Sequence, residues 1–447
     1  MMTFLYNTAF LFFGAAYLPV FLMKALRADS PKDLFCQRLG FFYRAWQEKF
    51  LGKKIIWIHA VSVGEVLACA KFLEECQRRF PGYHFVLTTV TPTGQKVAKK
   101  FEGRGITVCY FPFDLTFCVR SFFKTLGPEC LLLVETEIWP NLLMEAKRAH
   151  VPVVIVNARL SPRAFSRYRR ALFFLKKLFL QLDFVLAQTP EDAARFAALG
   201  VPSERLAVLG NMKFDNVSLE DTDPALLGQS LRREWGFHGE DLIWVAGSTH
   251  PGEEKIIVET YLDLRAQYPA LKLVLAPRHI ERSKALSRWL KREGLHVLSA
   301  TTGLSISRER GPFDVLLVDC LGLLKNLYAL ADVVFVGGSF VKRGGQNPIE
   351  PAGFRRAMMH GPNVFNFQYI YSRLNAEGAA ICVRDKSQLD FAVRRLLNNP
   401  SERIELGDHA FQTVKALQGA TRRYLGWLAG FLKTMPQPER TQYVNAI

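Results

Sequence analysis

The chain has 447 residues, of which 49% are hydrophobic and 22% are charged, and its formal net charge is +17. This apolar content excludes an intrinsically disordered protein, and the length predicts two or three domains. The positive charge leaves three classes of partner open, which are nucleic acid, an anionic membrane surface and an acidic substrate.

The N-terminal segment is strongly apolar and lies in the more basic half of the chain. Residues 1–220 contain 29 Lys and Arg against 18 Asp and Glu, which leaves an excess of 11 positive charges. No charged residue occurs between Thr3 and Met23, and a helix of that length would span the roughly 30 Å hydrocarbon core of a bilayer. Basic residues follow from Lys24 onwards. Residues 1–23 are therefore predicted to form a membrane anchor, single-pass or monotopic, with the rest of the chain on the cytoplasmic side.

After this segment, short apolar runs alternate with amphipathic stretches, a pattern typical of parallel strands that are buried on both faces. A first set of strands is predicted at 55–59, 84–89, 107–111, 131–135, 153–156, 184–187 and 207–209. An acidic, irregular stretch at 214–224 then predicts a linker. The alternation restarts behind it, with strands predicted at 242–246, 272–276, 315–318, 333–336, 357–360 and 380–383.

These two sets of strands predict two doubly wound α/β domains. The predicted boundaries are 24–220 for the first domain and 221–430 for the second, with a tail at 431–447. In such sheets ligands bind outside the carboxyl ends of the strands, so the loops that follow the strands are the candidates for the functional site.

Three loops of the first half place ionisable groups at strand ends. Glu65, in the sequence HAVSVGE, lies at the start of a helix, where it could accept a proton from a hydroxyl group or could simply cap the helix. Glu135 and Glu137, in ETEIWPN, end an apolar strand, and carboxylates are costly to bury without a purpose. Lys213, in GNMKFD, could neutralise a leaving phosphate group.

Two further stretches of the first half have two interpretations each. The hydroxyl-rich sequence TTVTPTG at 88–94 could bind a sugar or a phosphate, but threonine also favours strands and helix caps. The basic run that includes Arg163, Arg167 and Arg169 is either a solvated surface or a contact for anionic lipid headgroups. No nucleic-acid-binding motif accompanies it, so nucleic acid is not the favoured partner.

The second half contains several glycine-rich turns, which are GSTH at 247–250, GGS at 337–339 and GGQNPIEP at 344–351. Arg278, in the sequence PRH, suits a phosphate, and Glu350 suits a ribose diol. Together these features predict nucleotide binding. The sequence has neither GxGxxG after the first strand nor a P-loop pattern, which counts against dinucleotide oxidoreductases and P-loop NTPases. The sequence DTD at 221–223 lies in the predicted linker, so no metal site is expected there.

Taken in order, these motifs resemble the 3-deoxy-D-manno-octulosonic acid (Kdo) transferases of lipopolysaccharide synthesis. The resemblance implies a GT-B fold, in which two Rossmann-like domains face each other across a cleft, behind an N-terminal anchor. The matching sequences, between about residue 55 and residue 367, are HAVSVGE, TTVTPTG, PFDL, ETEIWPN, NARLS, GNMKFD, GSTHPGEE, APRHIER, FVGGSFVKRGGQNPIEP and GPNVFNF.

The resemblance also implies the reaction. It would be an inverting transfer of Kdo from CMP-Kdo to a lipid A precursor, lipid IVA, at the cytoplasmic face of the inner membrane. The partners would be CMP-Kdo, the lipid A precursor and an anionic membrane surface, and no cofactor or metal ion is expected. The alternative is another GT-B transferase or epimerase that uses a sugar nucleotide in envelope synthesis.

Residue by residue, the resemblance implies that Glu65 is the general base and that Glu135 and Lys213 stabilise the transition state. The first domain would bind the acceptor, and the second would bind CMP-Kdo. Two positions depart from the family, namely Gln346, where many members have His, and Leu323, where many have Glu. The residues implied to hold CMP are Pro277, Arg278, Leu321, Gly322, Leu323, Asn347, Pro348, Ile349 and Glu350.

Overall fold

A computed structural model describes residues 6–8, 10–12, 14, 30–41, 44–103, 105–216, 223–303 and 311–435. The chain divides into two compact units, one formed by Met1–Asn216 together with Gln418–Ile447 and the other by Val217–Leu417. Each unit contains a seven-stranded sheet. The prediction of two α/β domains with parallel sheets is confirmed.

The first sheet has the strand order β3-β2-β1-β4-β5-β6-β7, and every neighbouring pair is parallel. The interior strand β1 is buried on both faces, since Ile55 and Trp57 lie in one apolar core and Ile56 and Ile58 lie in the opposite one. This explains the continuous apolar run in the sequence. The strands are Lys54–His59 (β1), Tyr83–Thr89 (β2), Ile106–Tyr110 (β3), Pro128–Val134 (β4), Val153–Ala158 (β5), Phe184–Ala187 (β6) and Leu206–Val208 (β7).

Helices alternate with these strands, and a side-chain N-cap marks the start of several of the helices. Ser62, Thr91, Ser161 and Thr189 each accept a hydrogen bond from the backbone N–H three residues later, as is usual for N-cap residues. The helices are Pro31–Arg38 (α1), Arg44–Phe50 (α2), Val63–Ala68 (α3), Ala70–Arg79 (α4), Pro92–Ala98 (α5), Thr116–Leu126 (α6), Pro140–Arg148 (α7), Pro162–Arg170 (α8), Leu172–Phe179 (α9) and Pro190–Ala198 (α10).

The second sheet has the order β10-β11-β9-β8-β12-β13-β14 and is also parallel. The sequence pattern misses β10, a strand of three residues at the sheet edge, because so short a run shows no periodicity. The strands are Leu242–Thr249 (β8), Leu271–Pro277 (β9), Val297–Ser299 (β10), Val315–Leu317 (β11), Val333–Val336 (β12), Ala357–His360 (β13) and Ile381–Cys382 (β14).

The helices of the second unit surround this sheet in the alternation expected of doubly wound domains. They are Pro224–Trp235 (α11), Glu253–Arg265 (α12), Ser283–Arg292 (α13), Ala300–Gly303 (α14), Leu324–Leu327 (α15), Ile349–Gly353 (α16), Gln368–Ala376 (α17), Lys386–Asn398 (α18) and Pro400–Leu417 (α19).

The last helix, Ala420–Thr434 (α20), belongs to the first unit, whereas the predicted second domain extends to residue 430. Its Tyr424 is buried, and the Tyr424 hydroxyl donates to the carbonyl oxygen of Leu186 at 3.0 Å. The predicted linker also begins too early, because Phe214 is buried in the first unit and the Asp215 carboxylate accepts hydrogen bonds from the N–H groups of Gly419 and Thr421. A local sequence pattern does not reveal that the chain returns to the first unit after residue 417.

The predicted anchor at residues 1–23 lies mostly outside the described residues and is not confirmed. Among the residues that the structure describes, no helix is both long enough and apolar enough to cross a membrane. The described part of the segment contacts the first unit. Asn7 donates from Nδ2 to Thr116 Oγ1 at 2.8 Å, and its Oδ1 accepts from Nδ2 of Asn141 at 2.7 Å.

Replacing Asp215 with Ala is expected to lower the free energy of unfolding of the first unit by about 1–3 kcal/mol, because two backbone N–H groups lose their acceptor. The control is Glu74→Ala, since Glu74 is exposed in the same unit and its loss should change this free energy by about 0.5 kcal/mol or less. Urea unfolding measures both variants. An equal effect in the two would mean that Asp215 does not fasten α20 to this domain.

Candidate active site

The strand order changes direction between β1 and β4 in the sheet of the first unit and between β8 and β12 in the sheet of the second unit. Loops that leave the sheet at such a point diverge in opposite directions and open a crevice at the carboxyl ends of the strands. The sequence-predicted residues Glu65 and Glu135 follow β1 and β4 respectively. The topology therefore places both at the crevice of the first unit.

Glu65 lies in the first turn of α3, and its side chain is fixed by two donors. Its Oε2 accepts from the backbone N–H of Val61 at 2.7 Å, and its Oε1 accepts from the Ser62 hydroxyl at 2.9 Å. Ser62 in turn caps the helix by accepting from the Glu65 N–H at 3.4 Å. Glu65 therefore takes part in capping the helix, as one of its two interpretations predicted. The same contacts hold its carboxylate in a fixed orientation near Glu135.

The environment of Glu65 suits a base that works near neutral pH. Burial raises its pKa to about 7, and the negative charge of Glu135 adds to the rise. The hydrogen bonds from Val61 and Ser62 and the positive charge of Lys213 act in the opposite direction. A carboxylate with a pKa near the working pH is ionised in part and still basic enough to take a proton.

Glu135 directly follows β4 and has an unusual backbone conformation. Its φ angle is 64°, in the left-handed region that a residue with a long side chain rarely adopts and that costs about 1–3 kcal/mol. The backbone is held there because the Glu135 N–H donates to the carbonyl oxygen of Val156 at 2.9 Å. This conformation directs the carboxylate to Lys213, whose Nζ lies 2.9 Å from Glu135 Oε1.

Lys213 is positioned by a short 3₁₀ helix, Met212–Asn216, that is fastened on both sides. Before it, the Asn157 side chain at the end of β5 accepts from the Met212 N–H at 3.1 Å. Behind it, Asp215 accepts from the N–H of Gly419 at 2.7 Å. The lysine therefore reaches Glu135 from a segment that is anchored to both β5 and the C-terminal helix.

Glu137 is a third carboxyl group, and it interacts electrostatically with Glu65 and Glu135. Its Oε2 accepts a hydrogen bond from Nε1 of Trp139 at 2.9 Å. Burial raises the pKa of Glu137 to about 8, and the charges of Glu65 and Glu135 contribute. The sequence pointed to this residue as half of a carboxylate pair but gave it no separate function.

Three hydroxyl groups of the sequence TTVTPTG form hydrogen bonds within the protein. The Thr88 hydroxyl accepts from Nε1 of Trp57 at 2.9 Å, Thr89 donates to Gln95 at 2.6 Å, and Thr91 caps α5 by accepting from the Gly94 N–H at 3.0 Å. Thr88 and Thr89 are fully buried. The strand-and-cap interpretation of this sequence is therefore the one that the structure supports for these three residues.

In the second unit, a residue without an assigned function organises the loops that follow β8 and β12. Glu253 is fully buried, and its carboxylate accepts four backbone hydrogen bonds of 2.7–2.9 Å. The glycine before these donors is required by packing, since a Cβ at Gly337 would lie 2.7 Å from the carbonyl oxygen of Ser248. The four donors are the N–H groups of His250, Gly338, Ser339 and Phe340.

The residues implied to hold a nucleotide occur at the same edge of the second sheet. Arg278 is exposed directly after β9, and Leu321 is 76% exposed before Gly322, which has a φ angle of 91°. Asn347 donates from Nδ2 to Glu350 Oε1 at 3.2 Å. Burial raises the pKa of Glu350, and Asn347, Lys325 and Arg278 counteract the rise. Arg278 and Glu350 are therefore close enough to interact electrostatically.

The remaining implied positions are structural in part. Pro348 and Ile349 are buried, and the Ile349 N–H donates to Asn347 Oδ1 at 3.1 Å. At the departure from the family pattern, Gln346 Nε2 lies 3.3 Å from Nε2 of His250, and the Gln346 carbonyl oxygen accepts from the Tyr371 hydroxyl at 3.1 Å. Leu323, the other departure, directly precedes α15 and is half-buried.

Comparison with known proteins identifies this combination of motifs. A family model described as 3-deoxy-D-manno-octulosonic-acid transferase (kdotransferase) matches residues 34–216. The 3-deoxy-D-manno-octulosonic acid transferase of Haemophilus influenzae is 35% identical over 413 residues, which covers 91% of this chain and 94% of that protein. The chain belongs to the Kdo transferase family.

Two further comparisons concern the family and the fold. The 3-deoxy-D-manno-octulosonic acid transferase of Bordetella pertussis is 35% identical and covers 84% of this chain and 87% of its own length. Among solved structures, the UDP-GlcNAc 2-epimerase of Neisseria meningitidis, bound to UDP-GlcNAc, aligns with a TM-score of 0.57 and 15% identity over 84% of this chain and 100% of that one. At this identity the likeness shows the fold alone, which is that of two α/β domains with parallel sheets, as in GT-B enzymes.

In this Kdo transferase family member, Glu253→Gln is expected to lower the free energy of unfolding of the second unit by about 2–4 kcal/mol, because an amide cannot accept all four hydrogen bonds. Glu240→Gln is the control, since Glu240 is exposed in the same unit. Urea unfolding measures both variants. A loss below about 0.5 kcal/mol for Glu253→Gln would mean that the carboxylate does not hold these loops together.

Proposed function

We propose that this protein transfers Kdo from CMP-Kdo to a lipid A precursor, lipid IVA, in lipopolysaccharide synthesis, adding one or more Kdo residues. The observation that carries the proposal is the position of Glu65, an oriented carboxylate with a pKa of about 7 beside the Lys213–Glu135 ion pair, in a chain of the Kdo transferase family. The reaction is an inverting single displacement at the anomeric carbon of Kdo.

Glu65 acts as the general base in this proposal. The ionised carboxylate removes the proton from an acceptor hydroxyl while that oxygen attacks the anomeric carbon. The Val61 N–H and the Ser62 hydroxyl hold the carboxylate in place, so little orientation freedom is lost when the acceptor binds.

Glu135 and Lys213 stabilise the charges that develop in the transition state. The anomeric carbon gains positive, oxocarbenium-like character, which a nearby carboxylate favours, and the leaving phosphate or the Kdo carboxylate is negative, which the lysine favours. Their separation of 2.9 Å keeps both charges in one place before the substrate arrives. A preorganised pair of this kind does not need to reorganise during the reaction.

The second domain holds the CMP part of the donor in this proposal. Arg278 lies at the end of β9 and suits the phosphate, and the Asn347–Glu350 pair suits the ribose hydroxyls. CMP carries one phosphate and therefore less leaving-group charge than a nucleoside diphosphate, so the proposed reaction needs no metal ion and no cofactor.

The acceptor is a phosphorylated lipid, and the first domain offers a basic surface for it. Arg163, Arg167 and Arg169 are exposed on α8, and among the described residues none of the three forms an ion pair. Phe173 follows on α9 and is 90% exposed. We propose that this surface meets the anionic lipid headgroups at the cytoplasmic face of the inner membrane, next to an N-terminal anchor.

Another sugar-nucleotide transferase or an epimerase remains the alternative, because UDP-sugar enzymes share the fold. Competition for the donor site separates the two: CMP competes with the donor of a Kdo transferase, whereas UDP competes with that of a UDP-sugar enzyme. An epimerase, in addition, acts without a lipid acceptor.

Replacement of Glu65 by Gln is expected to lower the rate of Kdo transfer to lipid IVA by about 100-fold or more, because the amide cannot accept the proton. CMP binding should persist. For the wild type, kcat/KM should rise with pH through about 7 as Glu65 ionises. Mass spectrometry sizes the products.

The control for this experiment is Glu74→Gln, which changes an exposed carboxylate on the neighbouring helix α4 and should leave the rate unchanged. Retained turnover by the Glu65 variant would contradict its assignment as the base. A wild-type protein that does not modify lipid IVA in the presence of CMP-Kdo would contradict the proposed function itself.

Reversal of charge at Arg163, Arg167 and Arg169, each to Glu, should raise the acceptor KM by about tenfold or more and weaken binding to anionic vesicles, since each lost cation removes about 1 kcal/mol. The kcat should change little. The matched control reverses three exposed cations of the second domain, Arg288, Lys291 and Arg292. An equal effect in both variants would assign the change to net charge rather than to this surface.

A further inference from the structure

Glu137 is the one carboxyl group of the site for which the proposed reaction has no role. Glu135 has a cationic partner in Lys213, and Glu65 receives two hydrogen bonds from Val61 and Ser62. By contrast, the only hydrogen bond to the Glu137 carboxyl group among the described residues comes from the neutral indole of Trp139, at 2.9 Å.

Within the part of the chain that the structure describes, the charged and titratable groups that act on Glu137 are acidic. Glu65 approaches from α3, Glu135 lies on the same loop, and the phenol of Tyr168 approaches from α8. Lys213 is already paired with Glu135 at 2.9 Å. A half-buried carboxylate in such a position would carry an uncompensated negative charge, which is unfavourable compared with the neutral acid.

We propose that Glu137 keeps its proton at neutral pH and that Kdo transfer requires this neutral form, with Glu65 ionised beside it. The inference rests on the proposed function and extends it to the protonation state of the site. Donor and acceptor are both anionic in this reaction, so a third negative charge beside Glu65 and Glu135 would repel them. A neutral carboxyl group can instead donate a hydrogen bond to an anionic oxygen.

The pKa values of the two side chains agree with this order of ionisation. Burial raises the pKa of Glu65 to about 7 and that of Glu137 to about 8. Because the two groups interact, these values describe the pair. The contacts set the order of ionisation: two hydrogen bonds and the charge of Lys213 stabilise the Glu65 carboxylate, so Glu65 ionises first. Among the described residues, Glu137 accepts only the hydrogen bond from Trp139, so it ionises later. The active form is therefore most populated between the two steps.

This order predicts a bell-shaped dependence of kcat/KM on pH for the wild type. The rate should rise as Glu65 ionises and fall again as Glu137 ionises. In Glu137→Gln the side chain stays neutral at every pH and keeps an N–H donor. This variant should retain at least one third of the wild-type rate at pH 7 and should lose the alkaline fall, so that it exceeds the wild type at pH 9.5 by about tenfold.

Two further variants make the kinetic test specific. Glu137→Ala removes the donor and should be about tenfold slower at pH 7. Glu74→Gln, the control on α4, should show the wild-type profile. The proposal is overturned if Glu137→Gln keeps the alkaline fall of the wild type. It is also overturned if this variant is more than 100-fold slower at every pH, since the reaction would then need the ionised carboxylate.

A measurement without substrate separates this inference from the proposed function. The indole N–H of Trp139 donates to Glu137, so its ¹H–¹⁵N resonance, assigned with Trp139→Phe, should titrate with a midpoint near pH 8 in the full chain and should not titrate in Glu137→Gln. A midpoint below pH 7 would contradict the inference even in an active enzyme. A midpoint near 8 in a protein that transfers no Kdo would contradict the proposed function alone.

Discussion

The reversal of strand order within each parallel sheet is the constraint on which the rest of this structure depends. At such a point the loops of two adjacent strands turn away from each other, and the carboxyl ends of the strands form a crevice. In the first unit the reversal lies between β1 and β4, whose loops carry Glu65 and Glu135. In the second it lies between β8 and β12, whose loops are joined by Glu253. Both groups of residues are thus set by topology first and by side-chain chemistry second.

Within the first unit, the ion pair of Glu135 and Lys213 connects the crevice to distant parts of the chain. Glu135 is held in a left-handed conformation after β4, and Lys213 lies between two fixed points, Asn157 and Asp215. Because Asp215 also binds the start of the C-terminal helix, this helix supports the lysine although it is more than 200 residues away in sequence. The cost of the strained Glu135 backbone is met by these surrounding contacts, as is common at functional sites. Near this ion pair, burial raises the pKa of both Glu65 and Glu137, and the two carboxyl groups differ in the hydrogen bonds that they accept.

Much of the fold could be predicted from local pattern, and the exceptions have physical reasons. Every strand predicted from an apolar run is present. The edge strand β10 was not predicted, because a run of three residues is too short to show a hydrophobic periodicity. The TTVTPTG sequence was open to two interpretations, because threonine can bind a ligand through its hydroxyl group and also favours strands and helix N-caps. Only the buried positions of Thr88 and Thr89 decide between the two. The second-domain boundary at 430 was wrong because α20 is an ordinary amphipathic helix in sequence, and nothing local reveals which sheet Tyr424 and its neighbours cover.

The sequence by itself determined the alternation of strands and helices, the family and the candidate residues Glu65, Glu135 and Lys213, because these follow from short-range periodicity and from contiguous motifs. Only the tertiary structure decided which residues meet. The pairing of Lys213 with Glu135, the four N–H groups around Glu253 and the absence of a cationic partner for Glu137 within the described residues all depend on contacts between segments far apart in the chain. Protonation states belong to the same class, since burial and neighbouring charges set the pKa of a carboxyl group, and neither is a property of its local sequence.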